Sequence, residues 1–203
     1  MTLKYLYINF VSLLFLSCTG TVSNKNEGEK FIIGKINNNS ISVIASVKEG
    51  STFLYPKVFL SNEVVYTDST PTLYNLKEGD NRVITLKKDV NHSNILLEIA
   101  DPPLSDKWIV LSLVNNKLVA HYKVIKDIIE DVDNDGFVEV GGMEVNEAYC
   151  VDCDSAYYNP YQMYKLADKF EFDKVASERL TKQLYGVYLG KERTDTVLKI
   201  IKK

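Results

Sequence analysis

A short acidic stretch in the second half of the chain is the part most able to do chemistry. It runs from residue 131 to 139, with carboxylates at three alternate positions, a glycine directly after the third, and a fourth carboxylate three residues after the glycine. A loop that wraps a hard cation uses side-chain oxygens at alternate positions, a glycine at a sharp turn and one backbone carbonyl. The predicted calcium ligands are the side chains of Asp131, Asp133, Asp135 and Glu139, together with the main-chain carbonyl of Phe137.

Electrostatics gives a physical reason to expect an ion in this loop. Four carboxylates held close together repel one another unless a cation lies between them. The loop is not an EF-hand, because an EF-hand needs a bidentate Glu at position twelve and the residue there is Gly142. A solvated polar turn is the alternative, since Asp, Asn and Gly are common turn residues in any protein. We expect a structural calcium rather than a catalytic one, because a fully ligated ion has no position for substrate.

The spacing D-x-D-x-D-G-x-x-E resembles the calcium loops between strands of integrin-type (FG-GAP) surface repeats. In those loops the ligand at position nine is usually Asp, and here it is Glu139. Residues 131–164, with the N-terminal motif described next, also resemble small lipoproteins and secreted proteins of Bacteroidota. That second resemblance implies no activity.

The N-terminus has the features of an export signal. Lys4 precedes an apolar run over residues 6–16, which is too short to span a bilayer. Cys18 follows at once, after Ser17, and this arrangement resembles a bacterial lipobox. The resemblance implies cleavage before Cys18 and lipidation of that residue. An ordinary secretory signal or a buried N-terminal strand is the alternative.

A three-part organisation follows from this interpretation. Residues 1–17 form a lipoprotein signal peptide, residues 18–30 form a flexible polar tether, and residues 31–203 form a single β-rich domain. The chain is then anchored in the bacterial cell envelope, and we expect the outer membrane. The formal charge of −3 gives no electrostatic reason to expect nucleic acid as a partner.

Two further cysteines, Cys150 and Cys153, have C-x-x-C spacing. A redox site needs a lowered thiol pKa, and the flanking Asp152 and Asp154 act in the opposite direction. A zinc site needs further soft ligands, and the chain has only two histidines, far apart in sequence. A local disulfide between Cys150 and Cys153, or two unpaired thiols, remains the main expectation.

The sequence carries no recognisable catalytic motif. It contains neither G-x-S-x-G nor H-E-x-x-H. His92 lies in a polar segment and His121 in an apolar one, so neither has a partner at useful spacing. The tyrosines between residues 149 and 164 are consistent with a glycan- or peptide-binding face, but dense tyrosines more often pack in a core or at its rim.

Short β-prone runs separated by turns dominate the rest of the chain. They predict a mainly β (α+β) fold, an antiparallel β-sandwich or curved sheet with one helix near the C-terminus. Residues 108–114 and 118–125 predict a hairpin around Asn115-Asn116, although the second run also has helical spacing. Pro56 places residues 52–60 at an edge or bulge. A second hairpin is predicted around Gly141-Gly142.

The C-terminal segment contains the predicted helix, residues 174–185. Asp173 is at its N-cap position and Gly186 follows its last residue. We expect its apolar face to contain Val175, Ala176, Leu180 and Leu184. Residues 187–190 and 196–201 are predicted to close the domain as strands.

These observations favour a lipid-anchored, non-enzymatic envelope protein with a binding or scaffold role and one structural calcium. A periplasmic or surface hydrolase with a structural cation loop is the alternative. The protein or glycan partner is not indicated by the sequence.

Overall fold

The structure is a computed structural model that describes residues 28–36, 38–76, 83–85, 91–101, 105–144, 155–167, 169–194 and 196–199. In these ranges the strands are β1 (Glu29–Ile36), β2 (Asn39–Glu49), β3 (Thr52–Leu60), β4 (Glu63–Thr67), β5 (Leu73–Tyr74), β6 (Val83–Thr85), β7 (His92–Ala100), β8 (Lys107–Val114), β9 (Lys117–Ile125), β10 (Ile128–Glu130), β11 (Val138–Met143), β12 (Ser155–Tyr157), β13 (Tyr161–Leu166), β14 (Phe170–Asp173) and β15 (Val197–Lys199). The helix is α1 (Lys174–Tyr185). The prediction of a mainly β, antiparallel fold with one C-terminal helix is confirmed.

A nine-stranded antiparallel sheet forms the larger part of the fold. Its strand order is β1-β2-β3-β5-β7-β8-β9, with β4 also pairing with β3 and β6 also pairing with β7. The sheet is strongly curved, because β1 lies next to β6 and β4 next to β9. Its concave face encloses the largest apolar core, with contributions from β1, β2, β3, β7 and β8.

Strand periodicity explains how one strand serves two cores. In β7, Ile95, Leu97 and Ile99 are buried in the concave core, and Leu96 is buried on the opposite face. Side chains alternate between the two faces of a strand, so a strand covered on both sides, such as β7, is buried at almost every position. This double burial requires a second layer of structure on the convex face.

A four-stranded sheet with the order β10-β11-β13-β14 provides that second layer. Val140 and Leu166 from this sheet pack against Trp108, Val110 and Leu96 of the larger one. Aromatic rings reinforce the contact, since Tyr122 of β9 stacks on Phe170 of β14 with ring centroids 4.1 Å apart. The two sheets therefore form a sandwich, and the small sheet is held in place by its apolar inner face.

The first predicted hairpin is confirmed. Strands β8 and β9 pair with Val114 opposite Lys117, leaving Asn115-Asn116 as a two-residue turn. Both asparagines have positive φ, 50° and 63°. A type I′ turn requires this conformation, and asparagine tolerates it better than most residues. The helical alternative for residues 118–125 is thereby excluded.

The edge position predicted as one alternative for β3 is wrong. Strand β3 pairs with β2 on one side and with β4 and β5 on the other, so Pro56 is not at an edge. The strand does contain an irregularity, a shift of its register with β4 between Val58 and Phe59. Beside the proline, Tyr55 has a φ of 53°, and the carbonyl of Pro56 accepts a hydrogen bond from Asp68 N at 3.0 Å. The proline thus occupies an interior strand.

The Gly141-Gly142 pair does not form a hairpin but lies inside β11. Gly141 has φ 152°, and a Cβ there would overlap the carbonyl oxygen of Gln162 on β13. A Cβ at Gly142 would overlap Asp127 and Ile125. The glycines are present because neighbouring backbone and side chains approach β11 closely, not because the chain turns.

The bounds of helix α1 match the prediction, and its buried face matches only in part. Asp173 accepts a hydrogen bond from Ala176 N as the N-cap, and Gly186 follows with φ 73°. The buried residues are Ala176, Ser177 and Thr181. Of the predicted apolar face, Ala176 and the half-buried Leu180 do pack inward. Val175 and Leu184 are instead exposed, at 63% and 47% of their surface, so the prediction is wrong for these two residues.

Hydroxyl groups explain why the helix turns this face inward. Ser177 Oγ accepts a hydrogen bond from Met163 N at 2.9 Å, and Thr181 Oγ1 accepts one from Tyr161 N at 3.0 Å. Residues four apart lie one above the other on a helix, so these hydroxyls bind successive outward amides of β13. Helix α1 therefore extends the small sheet at the point where β14 ends.

The ends of the predicted domain differ slightly from expectation. Strand β1 begins at Glu29, so two residues of the expected tether belong to it. Residues 187–190 are not a strand, and the final strand β15 pairs with β12. Cys18, Cys150 and Cys153 lie outside the described residues. No helix in the described ranges is long and apolar enough to cross a membrane.

Candidate metal centre

The acidic loop joins β10 to β11 as a hairpin connection. Glu130 of β10 is paired with Glu139 of β11, and the chain between them forms the loop. Asn134 and Gly136 adopt positive φ values of 64° and 90°. These two left-handed residues tighten the loop and turn its alternate carboxylates toward a common centre.

Backbone amides of the loop are directed at its carboxylates. Asp133 Oδ1 accepts from Asp135 N at 3.1 Å, and Asp135 Oδ1 accepts from Phe137 N at 2.9 Å. Asp131 Oδ2 accepts from Gly136 N at 3.0 Å. These short-range hydrogen bonds hold the carboxylates in place, and each carboxylate has a second oxygen for other interactions.

Four of the predicted ligands come together. One oxygen from each of Asp131, Asp133, Asp135 and Glu139 lies within 4.8 Å of the other three. Calcium binds oxygens at about 2.3–2.6 Å, so two of its ligands can be at most about 5 Å apart. The four side chains therefore fit around a single ion of this size. Phe137 contributes an amide N–H to the loop, and the role of its carbonyl as a fifth ligand remains a prediction.

Glu139 is the most unusual member of the cluster, because its side chain is completely buried. Its Oε2 accepts a hydrogen bond from Val132 N at 2.7 Å. No hydrogen-bond donor among the described residues reaches its Oε1 or the buried Oδ1 of Asp131. A buried carboxylate oxygen without a donor is costly, so both oxygens require a proton or a cation.

The pKa of Glu139 reflects this environment. The pKa is raised to about 7, mainly by burial and in addition by the nearby carboxylates of Asp133, Asp173 and Asp135. The hydrogen bond from Val132 N lowers it by a smaller amount. Glu139 is thus a carboxylate whose negative charge the fold alone does not compensate.

The loop is also fixed to the helix that follows the small sheet. Val132 is buried against Met163 and Ala176, which places the start of the loop beneath α1. The guanidinium of Arg179 on α1 donates a hydrogen bond to the carbonyl oxygen of Val132. Val132 N is bound to Glu139, so this one residue connects the buried carboxylate to the helix.

Two charged residues at the site were not identified from the sequence. Lys165 lies opposite Glu139 in the pairing of β13 with β11, and Asp173 lies opposite Met163 in the pairing of β14 with β13. The ammonium of Lys165 forms ion pairs with Asp135 and with Asp173 Oδ2, the latter at 3.0 Å. Only the strand register brings these residues to the loop, and a single sequence contains no signal of that register.

The donor set favours hard cations. All four side-chain ligands are carboxylates, and the cluster contains no sulfur or imidazole. Oxygen ligands of this kind suit calcium, magnesium or manganese rather than zinc or copper. The cluster can therefore hold a metal ion, and the choice of metal depends on size and coordination number.

A surface groove elsewhere on the fold bears on the hydrolase alternative. It is lined by residues that include Lys107, Lys123, Glu144, Gln162 and Tyr164. Lys107 Nζ is already paired with Asp101 at 2.8 Å and with Glu144 at 3.4 Å. Among the residues that the structure describes, those lining this groove include no serine, cysteine or histidine, so the groove gives the hydrolase alternative no specific support.

Comparisons of the chain with protein-family models, with curated proteins and with solved structures found no match. The site must therefore be interpreted from its own geometry.

Proposed function

We propose that this chain is a lipid-anchored protein of the bacterial cell envelope whose β10–β11 loop binds one structural calcium ion. Its β-rich domain has a non-enzymatic binding or scaffold role. One observation carries the cation site: four carboxylates converge within 4.8 Å, and the buried Glu139 contributes an oxygen that no described donor reaches.

Size and ligand chemistry support calcium among the hard cations. Calcium accepts six to eight oxygen ligands in flexible geometry, whereas magnesium needs near-octahedral ligands at about 2.0–2.1 Å and keeps several waters. A loop that offers four carboxylates and a carbonyl supplies most of a calcium shell. An extracytoplasmic location also supports calcium, since sites in extracellular modules bind it in the range of about 0.1–1 mM.

A structural role follows from the position of the loop. Val132 and Arg179 attach it to α1, and Glu139 belongs to a strand of the small sheet. An ion that neutralises the loop would stabilise the contact between hairpin and helix. Among the described residues, the acidic cluster consists of these four carboxylates and includes no histidine or cysteine.

The lipid anchor is supported by the N-terminal sequence. Cys18 follows an apolar run of signal-peptide length, and β1 begins at Glu29, which leaves a short polar segment between them. Each buried CH₂ of an acyl chain contributes about 0.8 kcal/mol to membrane binding, so more than one chain gives a stable anchor. Metabolic labelling with palmitate in a bacterial host should label the wild-type chain and not Cys18→Ala.

Calcium binding is tested on the full chain purified in detergent, by isothermal titration with calcium and with magnesium. We expect one calcium per chain for the wild type, weaker or undetectable binding of magnesium, and loss of calcium binding in Asp133→Asn. Glu130→Gln is the matched control, because Glu130 is exposed and adjoins the loop without belonging to the cluster. Equal binding by wild type and Asp133→Asn would disprove the site.

A further inference from the structure

Lys165 is held at the edge of the acidic loop by three groups. Its ammonium forms ion pairs with Asp135 Oδ2 and with Asp173 Oδ2, and it lies 5.5 Å from the centre of the Phe137 ring. The side chain is only 26% exposed. A lysine ammonium carries a full positive charge at neutral pH, so this contact places a cation beside the carboxylate of Asp135.

The ammonium and a metal ion would use the same carboxylate. Asp135 is one of the four converging ligands, and its Oδ1 is bound to Phe137 N while its Oδ2 is bound to Lys165. A cation that takes Asp135 into its coordination shell must therefore weaken the ion pair with Lys165. Two positive charges close to one carboxylate also repel each other.

We propose that Lys165 is an internal competitor for the cation, which pairs with Asp135 in the metal-free loop and is displaced from it when calcium binds. This inference rests on the proposed function, since it concerns the affinity of the same site. Lys165 thereby sets the calcium concentration at which the loop fills.

Asp173 provides the position to which the ammonium moves. Its Oδ2 is already 3.0 Å from Lys165 Nζ, and its Oδ1 accepts from Ala176 N at 2.9 Å as the N-cap of α1. A lysine released from Asp135 thus keeps an ion pair with a buried carboxylate that also caps the helix. The exchange links the state of the loop to the N-terminus of α1 without requiring a large movement.

The competition is measured by the dissociation constant of calcium for the full chain in detergent. Lys165→Met removes the ammonium and should bind calcium roughly fivefold more tightly, which corresponds to about 1 kcal/mol at 1.4 kcal/mol per tenfold change. Lys165→Arg keeps the positive charge, so its dissociation constant for calcium should stay near that of the wild type. Lys174→Met is the matched control, because it removes one exposed lysine adjacent to Asp173 and should change the constant by less than about twofold.

A second measurement does not depend on the folding of Lys165→Met. Lysines of the wild-type protein are reductively methylated with ¹³C, and the Lys165 resonance is assigned by its absence in Lys165→Arg. We expect this resonance to move on addition of calcium, whereas the resonance of Lys182, which is paired with Glu178 on the exposed side of α1, stays in place.

The outcomes separate the competitor from the site itself. Three results would contradict competition by Lys165 without contradicting the calcium site. They are calcium affinity in Lys165→Met equal to or lower than that of the wild type, an equal gain of affinity in Lys174→Met, and a Lys165 resonance that calcium does not move. If the wild type and all variants fail to bind calcium, the proposed function and this inference both fall.

Discussion

At the scale of single residues, Glu139 determines how the site responds to pH. In the unfolded chain a glutamate has a pKa of about 4.3, and in the fold burial and the neighbouring carboxylates raise it to about 7. The folded state therefore holds the proton more tightly than the unfolded chain does. Protonated Glu139 stabilises the metal-free fold fully below the unfolded pKa, and this contribution is lost as the pH rises through 7.

We predict that, in a chelator, the free energy of unfolding of the wild type falls by on the order of 3 kcal/mol between pH 4.5 and pH 8 because of this residue. The side chain in Glu139→Gln stays neutral, so the free energy of unfolding of this variant should fall much less over the same pH range. Denaturant unfolding at several pH values measures both curves. Parallel curves for the two proteins would show that Glu139 does not carry an uncompensated charge.

Residue-scale prediction from the sequence succeeded where the chemistry is local. The four carboxylates lie within nine residues, so their spacing alone predicts that they can surround one ion. The position of Lys165 and Asp173 beside the loop was not predictable, because these residues reach it through the register of β11, β13 and β14. Register depends on which faces are buried, and that is decided by the whole sandwich.

At the scale of elements, α1 shows why an apolar pattern can mislead. The buried residues of its inward face are Ala176, Ser177 and Thr181, because the two hydroxyls accept hydrogen bonds from the amides of Met163 and Tyr161 in β13. Leaving a buried amide without an acceptor would cost more free energy than leaving Val175 in solvent, and Val175 is accordingly 63% exposed. The helix bounds were predictable from Asp173 and Gly186, since capping is a local property.

We therefore predict that Ser177→Ala destabilises the protein by about 1–3 kcal/mol, because the buried amide of Met163 loses its acceptor. Val175→Ala is the matched control on the same helix and should change the free energy of unfolding by less than about 0.5 kcal/mol. Urea unfolding compares the variants. Similar small effects for both would indicate that the hydroxyl contact contributes little.

Strand β11 gives a second prediction at this scale. In Gly141→Ala the new methyl group would overlap the carbonyl of Gln162, and the φ of 152° is itself unfavourable for alanine. We expect this substitution to lower the free energy of unfolding by more than about 3 kcal/mol. Gly190→Ala has a comparable backbone strain at φ 101° but nothing within 4 Å of the new Cβ, and should cost about 1 kcal/mol.

The comparison of these two glycines isolates steric overlap from backbone strain. Thermal unfolding measures the loss of stability in each variant, and equal losses of stability would contradict the close packing of β11 on β13. The sequence alone suggested a turn at Gly141-Gly142, because glycine in a turn and glycine at a close approach have the same local pattern.

At the scale of the whole molecule, the fold is a curved nine-stranded sheet covered on its convex face by a four-stranded sheet. Alternation in short β-prone runs was enough to predict a sandwich or curved sheet. It was not enough to predict that β3 is an interior strand despite Pro56, because strand order depends on contacts between distant segments. The cation loop sits on the smaller sheet and is connected to α1, so its ion would stabilise the region in which hairpin, sheet and helix meet.

The most direct test of the calcium site is thermal unfolding of the full chain in detergent, with millimolar calcium and with a chelator. A ligand that binds only the folded state stabilises it by about 2.7 kcal/mol at 100 times its dissociation constant. We predict that calcium raises the melting temperature of the wild type and of Glu130→Gln, and that Asp133→Ala abolishes the rise. An unchanged melting temperature in the wild type, or an equal rise in Asp133→Ala, would contradict a structural calcium in the β10–β11 loop.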